Sequence, residues 1–172
     1  MEALALARYI ENSFGESKGR YEWDHDFRFW LQKTMYFIQG YAVVQEKSPI
    51  FSAKIISFPK GPMVEGLHQQ LKTTPPSSAP IDCVPYLYVD IIANFLERYS
   101  GDRLSTISHT SQPWVDVCLE SEITIENISK NFGKSDFERE FIEDVSKAVE
   151  EAKGQEKRMK ERFKDFSCDS VE

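Results

Sequence analysis

The chain has 172 residues, of which 28% are charged and 41% hydrophobic, and its formal net charge is −7. This length suits one domain with a substantial core, because a single domain usually holds about 150 residues. The acidic balance argues against a nucleic-acid-binding protein, whose surface normally carries a basic patch. The sequence contains no run of about 20 apolar residues, so no membrane span is predicted. The three cysteines are widely spaced without a CxxC pair, so we expect reduced thiols, buried or in the tail, in a cytoplasmic protein.

The N-terminal segment predicts a helix over about residues 2–13, because Leu6, Ala7 and Ile10 follow helical spacing. Glu2 stands where a signal peptide would carry positive charge, and the apolar run is short. We therefore expect the protein to stay in the cytoplasm.

The segment 26–44 predicts a central helix that is buried on most of its sides. Its apolar residues fall in one broad arc at about 100° per residue, and further aromatic residues make the opposite side apolar too. Only Arg28, Gln32 and Gln39 form a narrow polar strip. Such a helix must be covered by other elements, so we expect it in the middle of the domain.

The pattern then changes between residues 48 and 63. Ile55, Ile56 and Phe58 lie between prolines and glycines, which favours a short extended segment, interpreted as an isolated strand. Pro62 is predicted to begin a helix that runs to about Lys72, since the first helical turn needs no N–H from that residue. Residues 73–80 are a loop by composition.

Four helices are predicted in the following stretch. The first covers about residues 85–99, with Gly101 as its C-terminal stop. Short helices follow over 102–108 and from Pro113 onward. The fourth carries apolar residues from position 123 to 132 and ends at Gly133.

The C-terminal region predicts an amphipathic helix over residues 135–166. Ser135 and Glu138 match a capping box, in which each side chain bonds the backbone N–H of the other residue. The apolar stripe is clean as far as Gly154 and thins beyond it, so we expect docking on the body only up to that point. Residues 1–134 are interpreted as the main domain and 167–172 as a disordered tail.

Three separated segments resemble those of the Panacea antitoxin domain, also called the SocA-like domain, of bacterial and phage-associated proteins. Residues 31–41 are similar to its LQK-x-x-Y-x-x-QG-aromatic helix, 58–64 to its W-x-x-GP-V-V element, and 104–114 to its TH-x-x-x-PW element. Phe58 stands at the position of the family's tryptophan. The residues that match the family's motifs are Gln32, Lys33, Tyr36, Gln39, Gly40, Gly61, Pro62, His109, Pro113 and Trp114. The order and spacing of the three segments make the combination specific.

This resemblance implies a mainly α domain with a short β element near the GP motif. It also implies an antitoxin that neutralises a cognate toxin by direct binding, in one class as an adaptor that delivers the toxin to a Clp protease. No catalytic residue or cofactor is implied. The chain departs from the family at Phe58, Glu65 and His68. These departures keep open a phage-associated or effector protein of the same fold that binds a different host protein.

His109 allows three interpretations. A histidine near a carboxylate is an ordinary general base, so His109, Trp114 and Asp116 form a candidate catalytic cluster to which the nearby Cys118 thiol would add a nucleophile. Alternatively, His109 bonds a backbone carbonyl at the end of a short helix while Trp114 fills the core. In the third interpretation both residues belong to a partner-binding site. Metal binding is not expected, because the three histidines are far apart and no Cys/His cluster has workable spacing.

Gln32, Lys33 and Gln39 lie in an otherwise apolar helix and must find hydrogen-bond partners there. In one interpretation they tie the loop around Gly61 to the central helix. In the other, Gln32 and Lys33 border a groove that receives a partner segment. The candidate partner-binding residues are therefore Gln32, Lys33, Gln39, His109 and Trp114.

Overall fold

The computed structural model of the protein describes residues 1–14, 25–74 and 87–166. Within these residues the chain forms eight helices and one two-stranded sheet, which confirms the predicted mainly α fold with a short β element. The elements are α1 (Ala3–Phe14), α2 (His25–Gln45), β1 (Ile55–Phe58), β2 (Gly61–Val64), α3 (Leu67–Thr73), α4 (Leu87–Glu97), α5 (Gly101–Ser108), α6 (Gln112–Val115), α7 (Ile125–Asn131) and α8 (Asp136–Phe166).

Helix α2 is the central helix that the sequence predicts. It packs against α1, α4, α5, α7 and β2, so other elements cover most of its surface. Trp30, Tyr36 and Phe37 are fully buried, and so are residues on both sides of the helix. The indole N–H of Trp30 donates to the carbonyl of Leu96 at 3.1 Å, which ties α2 to α4.

Strands β1 and β2 form an antiparallel hairpin in which Ile55 pairs with Val64 and Phe58 with Gly61. The predicted isolated strand and the predicted helix start at Pro62 are therefore both wrong. Pro62 pairs with Ser57, whose backbone N–H and C=O bond instead to residues 121 and 120 on the other side of β1. Pro62 thus needs no N–H at this position of the ladder, which is why a strand accepts it.

Residues 120–123 extend the sheet on the outer side of β1, a feature that the sequence interpretation missed. Ile123 donates its N–H to Ile55 at 2.8 Å, and Ile56 forms an isolated bridge with Glu122. Ile123 therefore lies outside α7, although its spacing from Ile128 suits a helix.

Gly101 was predicted to end α4, but in the structure it begins α5. The Ser100 hydroxyl caps that helix by accepting from the N–H of Arg103 at 3.1 Å. A Cβ atom on Gly101 would lie 2.1 Å from the Asp26 carbonyl oxygen. The glycine is thus explained by the close approach of α5 to α2, since a larger side chain would push the helices apart.

Helix α8 begins with the predicted capping box, and its apolar stripe contacts the body through Phe141, Val145 and Val149, each at most 3% exposed. From residue 155 to 161 every side chain is exposed. None of the helices in the described ranges has the length and apolar character that a bilayer crossing requires. Most of the predicted 73–80 loop and the 167–172 tail lie outside the described residues.

Candidate functional site

Gln39 links the central helix to the segment that leads into the hairpin. Its side chain is fully buried, and its Oε1 accepts from the N–H groups of Ile50 at 3.0 Å and Phe51 at 3.4 Å. Its Nε2 donates to the Phe51 carbonyl at 3.0 Å. Leaving a buried amide unpaired costs about 1–3 kcal/mol, so these bonds fix the segment before β1 against α2.

Gln32 and Lys33 make the equivalent link to β2. Gln32 Oε1 accepts from the Val64 N–H at 2.8 Å, and Lys33 Nζ donates to the Pro62 carbonyl at 2.9 Å. These bonds confirm the interpretation in which both residues tie the loop around Gly61 to the central helix. Their side chains are 3% and 0% exposed, so a partner cannot reach them in this conformation. Their direct contact with a partner stays a prediction that would require the hairpin to move.

Lys33 is unusual because it is a fully buried amine with a neutral acceptor. No ion pair joins it to a carboxylate in the part of the chain that the structure describes. Burial lowers the pKa of Lys33 from 10.5 to about 7, because removal from water penalises the charged form. The buried amine is therefore largely neutral at mildly alkaline pH.

Gly61 brings all three motif segments together. Its φ angle is +90°, and a Cβ atom there would lie 2.3 Å from Ser108 Oγ and 3.0 Å from Lys33 Nζ. The left-handed backbone and the absence of space both require glycine. At this point the hairpin contacts the central helix on one side and the end of α5 on the other.

His109 and Trp114 close the hairpin turn from outside. The Trp114 indole N–H donates to the Phe58 carbonyl at 3.2 Å. The centroids of the His109 and Trp114 rings are 4.5 Å apart. Burial, and then the positive charge of Lys33, lowers the pKa of His109, while a hydrogen bond to the Pro59 carbonyl opposes the shift. His109 therefore bonds a backbone carbonyl as one interpretation expected, but that carbonyl belongs to the turn and not to the short helix.

The catalytic interpretation of His109 gains no support from this geometry. Nε2 of the imidazole is buried and has no hydrogen-bond partner among the described residues. Asp116 accepts from Gln112 Nε2 at 2.5 Å and is not among the groups that shift the pKa of His109. Cys118 is an exposed free thiol, so the expectation of a buried or tail thiol is wrong at this position. Among the described residues, His109 thus shows no pairing with a carboxylate.

A second buried network connects Tyr36 to the start of α8. Ser111 Oγ donates to Glu138 Oε1 at 2.5 Å and accepts from the Tyr36 hydroxyl. Glu138 Oε2 accepts from Gly133 N–H at 3.0 Å, and the carboxylate is 1% exposed. Burial, and then the Glu138 charge, raises the pKa of Tyr36 well above its usual value. The capping box identifies Glu138 in the sequence, but its link to Tyr36 is visible only in the fold.

Two further motif residues act through packing. A Cβ atom on Gly40 would lie 2.4 Å from the ring of Phe132, so this glycine lets α7 and its end approach the central helix. Pro113 is buried in the first turn of α6, two residues after the N-cap Ser111. Both positions therefore serve the fold around the polar framework.

The three motif segments therefore meet in one place, which we call the hairpin framework: Gln32, Lys33, Gln39, Gly61, Pro62, His109 and Trp114. Among the described residues no group of three His, Cys, Asp or Glu side chains is placed to hold a metal ion. No protein-family model matches this chain, and neither a curated protein nor a solved structure does. The interpretation of function therefore depends on the motif resemblance and on this geometry.

Proposed function

We propose that the protein is an antitoxin that neutralises a cognate toxin by direct protein–protein binding. The observation that carries the proposal is the hairpin framework. Its polar side chains form hydrogen bonds within the protein. Lys33 and Gln39 are fully buried, and Trp114 bonds the Phe58 carbonyl. A domain that uses its polar motif residues in this way offers a rigid surface, as a binding module requires.

The framework fits a binding role because it fixes the short hairpin, which has little core of its own. A two-stranded hairpin alone is marginally stable in water, so its conformation depends on bonds from neighbouring elements. Gln32 and Lys33 supply these bonds from α2, and Ser105 donates to the Lys60 carbonyl from α5 at 2.6 Å. A fixed surface binds more tightly, because less conformational entropy is lost on association.

The proposal is tested by co-expression with the product of each adjacent gene. We expect one neighbour to arrest growth when it is induced alone, and the present protein to relieve the arrest and to co-purify with it. A matched control is Glu140→Lys on an exposed position of α8, which leaves the framework intact. The proposal fails if neither neighbour is toxic, or if relief occurs without any complex.

The adaptor form of the proposal makes a separate claim about toxin abundance. If the antitoxin delivers its toxin to a Clp protease, toxin levels should fall on co-expression and recover in a strain without that protease. Unchanged toxin levels with full relief of growth arrest would restrict the mechanism to simple sequestration.

A second candidate function is supported by where the family departures lie. Glu65 is exposed in the turn between β2 and α3, and His68 is partly exposed in the first turn of α3. Surface differences alter partner choice more readily than fold, so a phage-associated or effector protein that binds another host protein also fits. Capture of one host protein by the wild-type chain, and its loss with Glu65→Ala and His68→Tyr, would favour this alternative; alanine keeps the N–H that residue 65 donates to the Lys54 carbonyl.

A further inference from the structure

An exposed patch that combines apolar and acidic side chains lies at the end of α6 and in the turn after it. Val115 is 53% and Leu119 55% exposed, more than every other large hydrophobic residue in the described part of the chain except Met159. Asp116 and Glu120 each follow one of them in the chain. We call these four residues the acidic patch. The N–H of Glu120 donates to the carbonyl of Ser57 at 2.6 Å, which fixes the turn against β1.

The charged side chains in this stretch of sequence are all acidic. Between positions 110 and 129 the sequence has four carboxylates and no lysine or arginine. Two of these carboxylates, Glu122 and Glu126, form ion pairs with lysines outside that stretch. Asp116 and Glu120 have no ion pair with a cation among the described residues. They therefore leave a negative potential beside the two exposed aliphatic side chains.

The distal part of α8 has the opposite character. Positions 153–166 contain six basic and three acidic residues, and Met159 is 58% exposed. Lys160 pairs with Glu156 at 2.5 Å. Lys157 and Arg158 have no ion pair with a carboxylate in the described residues. We call Lys157, Arg158 and Met159 the basic segment, which presents one apolar side chain beside two cations.

The basic segment cannot reach the acidic patch of its own chain. Ser111, at the start of α6, bonds Glu138 in the first turn of α8, so the patch lies near the N-terminal end of that helix. A helix rises about 1.5 Å per residue, which puts Met159 roughly 30 Å further along. Since α8 is one continuous helix of 31 residues, the two complementary surfaces are held apart within one molecule.

We propose that two copies of this chain form a symmetric dimer in which the basic segment of each copy covers the acidic patch of the other. A twofold axis across α8 forms both contacts at once, because patch and segment lie near opposite ends of the same helix. Met159 packs between Val115 and Leu119, while Lys157 and Arg158 face Asp116 and Glu120. This inference concerns self-association and is independent of the proposed toxin binding.

The test uses two charge-reversed variants of the full chain, measured by sedimentation equilibrium with circular dichroism to confirm folding. The double substitution Asp116→Lys with Glu120→Lys makes the patch basic. The double substitution Lys157→Glu with Arg158→Glu makes the segment acidic. Each variant alone should dimerise at least about tenfold more weakly than the wild type, because like charges then face each other at both contacts. A matched control, Glu2→Lys with Asp102→Lys, reverses two exposed charges that belong to neither surface and lie outside α8, and it should leave dimerisation unchanged.

Mixing the two reversed variants gives the decisive result. In a heterodimer the basic patch of one variant meets the acidic segment of the other, and the remaining patch and segment keep their natural charges. We therefore expect the mixture to recover dimer formation, and added salt to weaken it. A wild type that is monomeric at every measurable concentration overturns the proposal. So does a dimer that is insensitive to both reversals, or a mixture that shows no recovery.

Discussion

The buried amine of Lys33 predicts a specific dependence of stability on pH. In the folded protein burial lowers the pKa of Lys33 to about 7, whereas the unfolded chain keeps the ordinary value of 10.5. Between these two values the unfolded state binds more protons than the folded state, so the free energy of unfolding rises with pH. Below pH 7 the lysine is charged in both states and its contribution no longer changes.

The expected size of this effect follows from the pKa difference. One pKa unit corresponds to about 1.4 kcal/mol, so raising the pH from 7 to 9 should stabilise the protein by roughly 2–3 kcal/mol through Lys33 alone. Other groups also titrate, and the comparison with Lys33→Met removes their contributions. Methionine fills similar space without a charge, so this variant should lack the rise. It also leaves the Pro62 carbonyl unpaired, which lowers its stability at pH 9.

The assay is urea unfolding of both proteins at a series of pH values from 6 to 9, followed by tryptophan fluorescence. The difference in unfolding free energy between wild type and Lys33→Met should shift in favour of the wild type by roughly 2–3 kcal/mol across this range. The range stops below pH 10, since burial raises the pKa of Tyr36 and its titration in the unfolded chain would then lower stability. Parallel curves for the two proteins would refute a buried, perturbed amine.

Two glycine substitutions test the packing of the framework by the same unfolding assay. Gly61→Ala should cost roughly 2–5 kcal/mol, because it adds a clash to a strained left-handed backbone. Gly66→Ala, also left-handed but with its new Cβ atom an ordinary 3.8 Å from Gln70 Nε2, should cost only about 1–2 kcal/mol; equal losses would contradict the close packing at Gly61. Gly40→Ala should cost about 1–3 kcal/mol through its clash with Phe132. Adding Phe132→Leu should then cost less than the sum of the two single changes, and strict additivity would show that the clash is absent.

Local sequence signals predicted the helices well where one local rule decides the structure. The bounds of α2 follow from its apolar periodicity, and the start of α8 follows from Ser135 and Glu138. The prediction for Pro62 was wrong, because proline suits both a first helical turn and a strand position that needs no N–H. Only the pairing with Ser57 distinguishes these cases. Gly101 was misplaced for a similar reason, since its role is set by the distant Asp26 carbonyl.

The candidate site was predictable in kind but not in connectivity. Polar side chains in an apolar helix must be paired, and this requirement alone identified Gln32, Lys33 and Gln39. Their acceptors and donors lie in other elements, so the sequence could not choose between an internal tie and a partner groove. The buried link from Tyr36 to Glu138 spans separations of 75 and 27 residues, which no local pattern encodes.

The most direct test of the central proposal is a calorimetric titration of the purified protein with the product of the adjacent gene, expressed as an inactive variant if it is toxic. We expect saturable binding with a fixed stoichiometry, and the same affinity for the surface control Glu140→Lys. A folded protein that shows no binding to either neighbouring gene product would contradict the antitoxin function.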